Sequence, residues 1–75
     1  MRTESLHETI QAQPFRPFTI RMADGRKFDV KHRDFLAQSP SGRTVIVFQT
    51  DDSYSVLDLL LMSELEVPAG NGRSA

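Results

Sequence analysis

Lys31, His32, Arg33 and Asp34 form the densest run of titratable side chains in this 75-residue chain. Flanking cations push an imidazole toward its neutral form, and a nearby carboxylate pushes the other way. His32 is therefore a candidate for proton transfer, for ligand contact, or for a hydrogen bond that stabilises a turn; the turn is the favoured reading. Asp51 and Asp52 are the only adjacent acids. A metal or acid/base pair needs convergent side chains, and neighbours along a strand or turn diverge. They read as solvated turn acids. Ser39, Ser41, Ser53, Ser55 and Ser63 include no Gly-x-Ser-x-Gly elbow. There is no cysteine, so thiolate chemistry and disulfides are excluded. His7 and His32 lack the carboxylate spacing of a four-ligand metal site. Gly25 has no glycine-rich run or following helix with which to cradle a phosphate. The expectation is a protein that is not an enzyme, with no cofactor and no metal.

Binding chemistry has more to work with. Arg21, Lys27, Lys31 and Arg33 share one parity along a pair of strands, and His32 lies among them. They are the candidate contacts for nucleic acid or another ligand through phosphate. Thr19 and Asp29 share that parity, and no aromatic residue alternates with the cations to stack on a base. The long stems serve equally well to cover apolar surface. Residues 1–45 carry eight basic and five acidic groups, net +3; residues 46–75 carry one basic and five acidic groups, net −4. This asymmetry favours protein or head-to-tail contacts over nucleic acid.

The elements that must position these groups are short. Ser5 and Glu8 have capping-box spacing, Leu6 and Ile10 make one stripe, and Pro14 follows, which predicts a helix over 5–13. Pro14 and Pro17 make an extended connector around Phe15. Phe18, Ile20 and Met22 alternate with polar residues, as do Phe28 and Val30. A two-residue Asp-Gly turn would set Ile20 against Asp29. A three-residue loop, Ala23-Asp24-Gly25, sets Ile20 against Phe28 and Phe18 against Val30, with Gly25 left-handed in a G1 bulge. The bulged loop is the expectation. Residues 32–36 read as a turn that buries Phe35 and Leu36, and Ser39 to Gly42 as a loop. Thr44 to Gln49 is a strand bulky on both faces, which suggests cover on both sides. Tyr54 to Asp58 is a strand, Leu59 to Met62 is ambiguous, and Ser63 to Val67 is a fifth strand with Leu65 and Val67 inward.

These elements predict a mainly β fold: an N-terminal helix on a curled antiparallel sheet of about five strands. An SH3-like or Sm-like small barrel is the first choice, since closure removes exposed edges. An open α+β sheet with the helix across one face is the alternative. The domain is expected over 1–68, with a flexible tail over 69–75. A chain this short buries only roughly 60% of its extended surface.

The segment Gln13-Pro14-Phe15-Arg16-Pro17-Phe18, then Asp24-Gly25-Arg26, then His32-Arg33-Asp34-Phe35, resembles a family of very small uncharacterised bacterial proteins. Ser39-Pro40-Ser41-Gly42-Arg43 and Leu59-Leu60 with Leu65-Glu66 fit the same resemblance, which covers about residues 5–67. It implies domain limits and a bacterial source, and no activity. Ile20 to Gly25 is also similar to the first half of the first Sm motif. The second Sm motif is missing: Thr50-Asp51-Asp52-Ser53 stands at that turn, and its acids repel phosphate.

Leu59, Leu60, Leu61 and Met62 exceed what one strand or helical turn can hide. They are the candidate interface, with a homo-oligomer (a homodimer first) or a protein partner as occupant. The run is too short to span a bilayer and the N-terminus lacks a signal-peptide pattern. A cytoplasmic protein-interaction or accessory module is therefore expected. The alternatives are a nucleic-acid-binding small barrel and a self-associating structural domain.

Overall fold

In the computed structural model, which describes residues 2–69, the helix α1 runs Thr3–Gln11 and buries Leu6 and Ile10, the expected stripe. It starts two residues earlier than the capping box predicts. Arg2 is the N-cap, without a side-chain cap, and Ser5 lies inside the helix with its carbonyl accepting from the Thr9 hydroxyl. The early start has a packing cause: Thr3 lies against Gly42, so the first turn is docked on a loop. The far end stops at Ala12, whose backbone is extended, before the Gln13–Pro14 bond.

Six strands follow: β1 Phe18–Met22, β2 Lys27–Val30, β3 Leu36–Gln38, β4 Thr44–Phe48, β5 Tyr54–Asp58 and β6 Met62–Glu66. The first hairpin has the expected register, Phe18 opposite Val30 and Ile20 opposite Phe28. Its loop is the expected three residues: the Met22 N–H donates to the Arg26 carbonyl at 2.8 Å, the Gly25 N–H donates to the Met22 carbonyl at 3.0 Å, and Gly25 has φ +94°.

The same device recurs twice. The N–H groups of Gly42 and Asp52 donate back to the carbonyls of Ser39 and Gln49, and both residues have positive φ, +83° and +74°. All three hairpin turns thus reverse the chain through one left-handed residue at the fourth position. At Asp52 the position is filled by a residue with a Cβ, and sequence reasoning that looks for glycine passes over it.

The strands do not make one curled sheet. They form two three-stranded antiparallel sheets, β2-β1-β6 and β3-β4-β5, with no ladder joining them. The barrel expectation, SH3-like or Sm-like, is overturned, and so is the single open sheet. The cause is local. Residues 33–35 and 59–61 are single 3₁₀ turns, and each moves the chain from one sheet to the other instead of letting a strand bend through. The side chain at each entrance accepts the N–H two residues on: His32 Nδ1 from Asp34, and Asp58 Oδ1 from Leu60. The extra strand, β3, takes Leu36 into the core by pairing with β4, whereas Phe35 is only half-buried. β6 begins at Met62, one residue before the expectation, and Val67 lies beyond it and is exposed. The tail expected over 69–75 lies, from residue 70 on, outside the described residues.

One apolar cluster joins the inner faces of both sheets to the helix. Phe18, Ile20, Met22, Val30 and Met62 come from the first sheet; Leu36, Val45, Val47 and Leu57 come from the second; Leu6, Ile10 and Leu59 complete it. Among the described residues no polar or charged side chain is buried. Arg16 ties the connector after α1 to the far end of the domain by donating to the Pro68 carbonyl.

The turns give a graded test. Gly25→Ala adds a Cβ that meets nothing, so its cost is backbone strain alone, about 1 kcal/mol. Gly42→Ala is expected to cost more, because its Cβ would lie 2.7 Å from Thr3 Cγ2. Thr3→Ser in the Gly42→Ala background should restore part of the loss. Asp52→Gly should raise Tm, relieving up to about 1 kcal/mol. Thermal melts of the four variants check the order.

Candidate functional site

The expected basic ribbon does not converge on one surface. Arg21 lies on the outer face of the first sheet and donates from Nε and the terminal amine to Glu66 Oε1 at 3.0 and 2.8 Å, with Glu64 3.8 Å away. β6, the neighbour on that side, supplies both acids through the pairing of Thr19 with Glu66 and Arg21 with Glu64. On the other side Asp29 accepts from the Thr19 hydroxyl at 2.9 Å. The outer face of the first sheet is thus a mixed-charge surface of exposed pairs, which individually stabilise little.

Arg33 is withdrawn for a different reason. It is half-buried, with Nε 2.8 Å from the Ile10 carbonyl and a terminal nitrogen 2.8 Å from the Ala12 carbonyl. It satisfies carbonyls that the end of α1 leaves open, where a cation is also favoured by the helix dipole. Its guanidinium sits 5.5 Å from the centre of the Phe15 ring. Arg33 is therefore the clamp between the helix and the first 3₁₀ turn. His32 is mostly exposed; Nδ1 accepts from Asp34 N–H at 3.3 Å, which places it in the turn-stabilising role.

Lys27 and Lys31 remain. They border a cleft of about 240 Å³ whose other walls include Phe28, Asp29, Phe35, Phe48 and Thr50. The aromatic residues there come from β2 itself, the first 3₁₀ turn and the end of β4. No periodicity in the chain signals that meeting. A larger, more open groove of about 600 Å³ lies between α1 and the Ser39–Gly42 loop, lined by His7, Glu8, Arg33 and Gln38 among others. Among the described residues no three His, Asp or Glu side chains come together to hold a metal ion. No described helix is long and apolar enough to cross a membrane.

The leucine run divides. Leu59 and Met62 are 1% and 4% exposed and belong to the core, whereas Leu60 and Leu61 project from the second 3₁₀ turn at 60% and 55%. A 3₁₀ turn has three residues per turn, so the first and fourth residues share a face and the two between do not.

The larger apolar surface lies elsewhere. β4 alternates Val45 and Val47 inward with Ile46 and Phe48 outward. Ile46 is half-buried and Phe48 is 37% exposed, with Phe48 also walling the cleft beside Lys27 and Lys31, so the expected cover on the outer side is partial. The register sets Ile46 beside Val56 and Phe48 beside Tyr54, with Ala37 on the far side of Ile46. The Phe48 and Tyr54 rings are 6.0 Å apart. Tyr54 and Val56 are 62% and 61% exposed. The outer face of the second sheet is therefore apolar, and the outer face of the first is charged. The signal was present in the sequence as a strand bulky on both faces.

Two turn acids, Asp51 and Asp24, are held in their charged forms. The Ser53 hydroxyl, then the Ser53 N–H, keeps the Asp51 carboxyl below its ordinary range; the hydroxyl lies at 2.6 Å. The Arg26 N–H, then its side chain, does the same for Asp24. Asp51 and Asp52 serve the turn as an acceptor and as a left-handed residue.

No protein-family model, curated protein or solved structure matches this chain.

Two measurements follow from the cations and acids. Arg33→Met should cost about 1–3 kcal/mol, since it leaves two helix carbonyls without a partner. Arg21→Met should cost under about 1 kcal/mol, being an exposed pair. Ser53→Ala should raise the Asp51 pKa toward the ordinary value, read by carboxyl NMR titration. A depressed folded pKa contributes stability that is present above the unfolded value and is lost as pH falls through the folded one. The variant should therefore lose stability at neutral pH and lose less of it on acidification.

Proposed function

We propose that this protein is a non-enzymatic protein-interaction module that presents the outer face of the β3-β4-β5 sheet to a partner. The observation that carries this reading is the contiguous surface of Phe48, Tyr54 and Val56, exposed beside a half-buried Ile46 on a domain with only one small core. Apolar groups grouped in this way, with two aromatic rings side by side, have the composition of an interface centre. Leaving Tyr54 and Val56 in water forgoes roughly 1.5–3 kcal/mol of burial for each large side chain. The charged outer face of the first sheet suits the solvent side of such a module. Leu60 and Leu61 extend the apolar area beyond the end of β5.

A photoreactive phenylalanine analogue at position 54, compared with the same analogue at position 64, tests the reading. Position 54 is expected to crosslink to a discrete protein species in the native cell, and position 64 is not. Equal labelling at both positions, or none at 54, would remove the face as an interface.

A second reading draws on the cleft beside Lys27 and Lys31. Two cations next to Phe28, Phe35 and Phe48 combine charge with aromatic surface, as single-stranded nucleic acid sites do. Titration with short RNA and DNA at two salt concentrations tests it. Saturable binding that weakens with salt and is lost in Lys27→Ala/Lys31→Ala would favour this reading over the first.

A further inference from the structure

We infer that the partner of the second sheet is another copy of this chain, joined edge to edge through antiparallel pairing of β5 with β5 about a two-fold axis at Val56. The inference rests on the interaction-module reading and sets the contact at the edge of that face: pairing covers Tyr54 and Val56 and leaves Ile46 and Phe48 on the continuous outer face of a six-stranded sheet.

The hydrogen-bond parity of β5 fixes which groups are open. The Gln49 N–H donates to the Ser53 carbonyl and the Leu59 N–H donates to the Arg43 carbonyl, both at 2.8 Å. Between these two points the ladder alternates, so Ser55 and Leu57 exchange bonds with β4. Tyr54, Val56 and Asp58 therefore turn their N–H and C=O groups to the other side. β5 is the end strand of its sheet. The Asp58 carbonyl, as N-cap of the second 3₁₀ turn, accepts the first bond of that turn, so the open groups are those of Tyr54 and Val56 and the Asp58 N–H.

The other edges are blunted more heavily than this one, whose single charge, Asp58, stands at its end. β2 points Lys27 and Asp29 outward along its edge, β3 is three residues long and runs into Pro40, and β6 is bulged against β1 and carries Glu64 and Glu66. Charges, shortness, proline and bulges are the usual protections of an edge. β5 has no lysine, no proline and no bulge in its pairing with β4.

The strand is also complementary to itself. With Val56 on the axis, Val56 faces Val56 of the second copy, and Tyr54 faces the second copy's Asp58. The Val56 pair exchanges both of its bonds, and each Asp58 N–H donates to the facing Tyr54 carbonyl. No like charges face each other. Tyr54, Val56 and Asp58 share the outer face, so each Tyr54 ring lies diagonally across the other copy's Val56, within reach for an aromatic side chain. The two most exposed apolar side chains of the sheet, at 62% and 61%, thereby cover each other. The two-fold operation closes the contact, giving a dimer and not a fibre.

Sedimentation equilibrium of charge-reversed variants tests this. The unmodified chain should be dimeric at high micromolar concentration, and its Val56 and Asp58 amides should exchange more slowly as concentration rises. Val56→Lys and Val56→Glu should each stay folded, since the side chain is exposed, and raise the dimer Kd about tenfold or more. An equimolar mixture of the two variants should recover dimer, because only pairing on the axis sets position 56 against itself. A monomeric unmodified chain whose position 54 still crosslinks to a foreign protein would overturn the second copy and leave the interaction module standing. Monomer with no crosslink would overturn both. A dimer lost on Phe48→Ser yet kept in Val56→Lys would replace edge pairing with face-to-face packing.

Discussion

Two small sheets must share one core, and the rest of this structure follows from that constraint. Neither three-stranded sheet could be stable alone without another layer on its apolar face. The inner faces therefore have to meet, and the chain has to change sheets twice in very few residues. Both changes use one solution, a single 3₁₀ turn whose entrance residue accepts an N–H two positions later, His32 in one case and Asp58 in the other. The first turn also holds the helix through Arg33. The second buries Leu59 and Met62 while pushing Leu60 and Leu61 out. The exposure of Leu60 and Leu61 is a by-product of this corner geometry.

What could be read in the sequence was local. The β1–β2 hairpin was legible to the residue because parity, turn chemistry and Gly25 all constrained the same register. β4 and β5 were legible from their bulky alternation. The division into two sheets was not, because the corners that cause it are only three residues each and carry no periodicity. β3 escaped for a similar reason: three residues cannot display a period of two. The helix start was shifted by a contact with Gly42, thirty-nine positions from Thr3, which no local rule can anticipate.

The candidate site shows the same limit in another form. Arg21, Lys27, Lys31 and Arg33 share a parity in sequence, and parity does place side chains on one face of a strand. It says nothing of the next strand over. β6 arrives with Glu64 and Glu66 to engage Arg21, and the last turn of α1 takes Arg33. The leucine run is only half exposed, with Leu60 and Leu61 outward and Leu59 and Met62 in the core, and further apolar surface lies on the outer side of β4 and β5. In sequence Ile46 and Phe48 mark it as a strand bulky on both faces, a pattern that equally suits a strand covered on both sides.

The pairing of β1 with β6 differs from every other ladder in the molecule. The remaining strand pairs are joined by short hairpins, whereas Arg21 and Glu66 are 45 positions apart. Closing a loop of that length costs on the order of 3 kcal/mol in chain entropy before any side chain is buried. The β3-β4-β5 meander can assemble from neighbours alone, and so can the first hairpin. The first sheet cannot be completed until β6 has been made and has found its place. During synthesis from the N-terminus the β1 edge waits, open, while nearly all of the domain is translated. The late strand's register is set by burial, with Leu65 beside Ile20 and Met62 beside Met22, since a one-residue slip would turn these side chains to the solvent face.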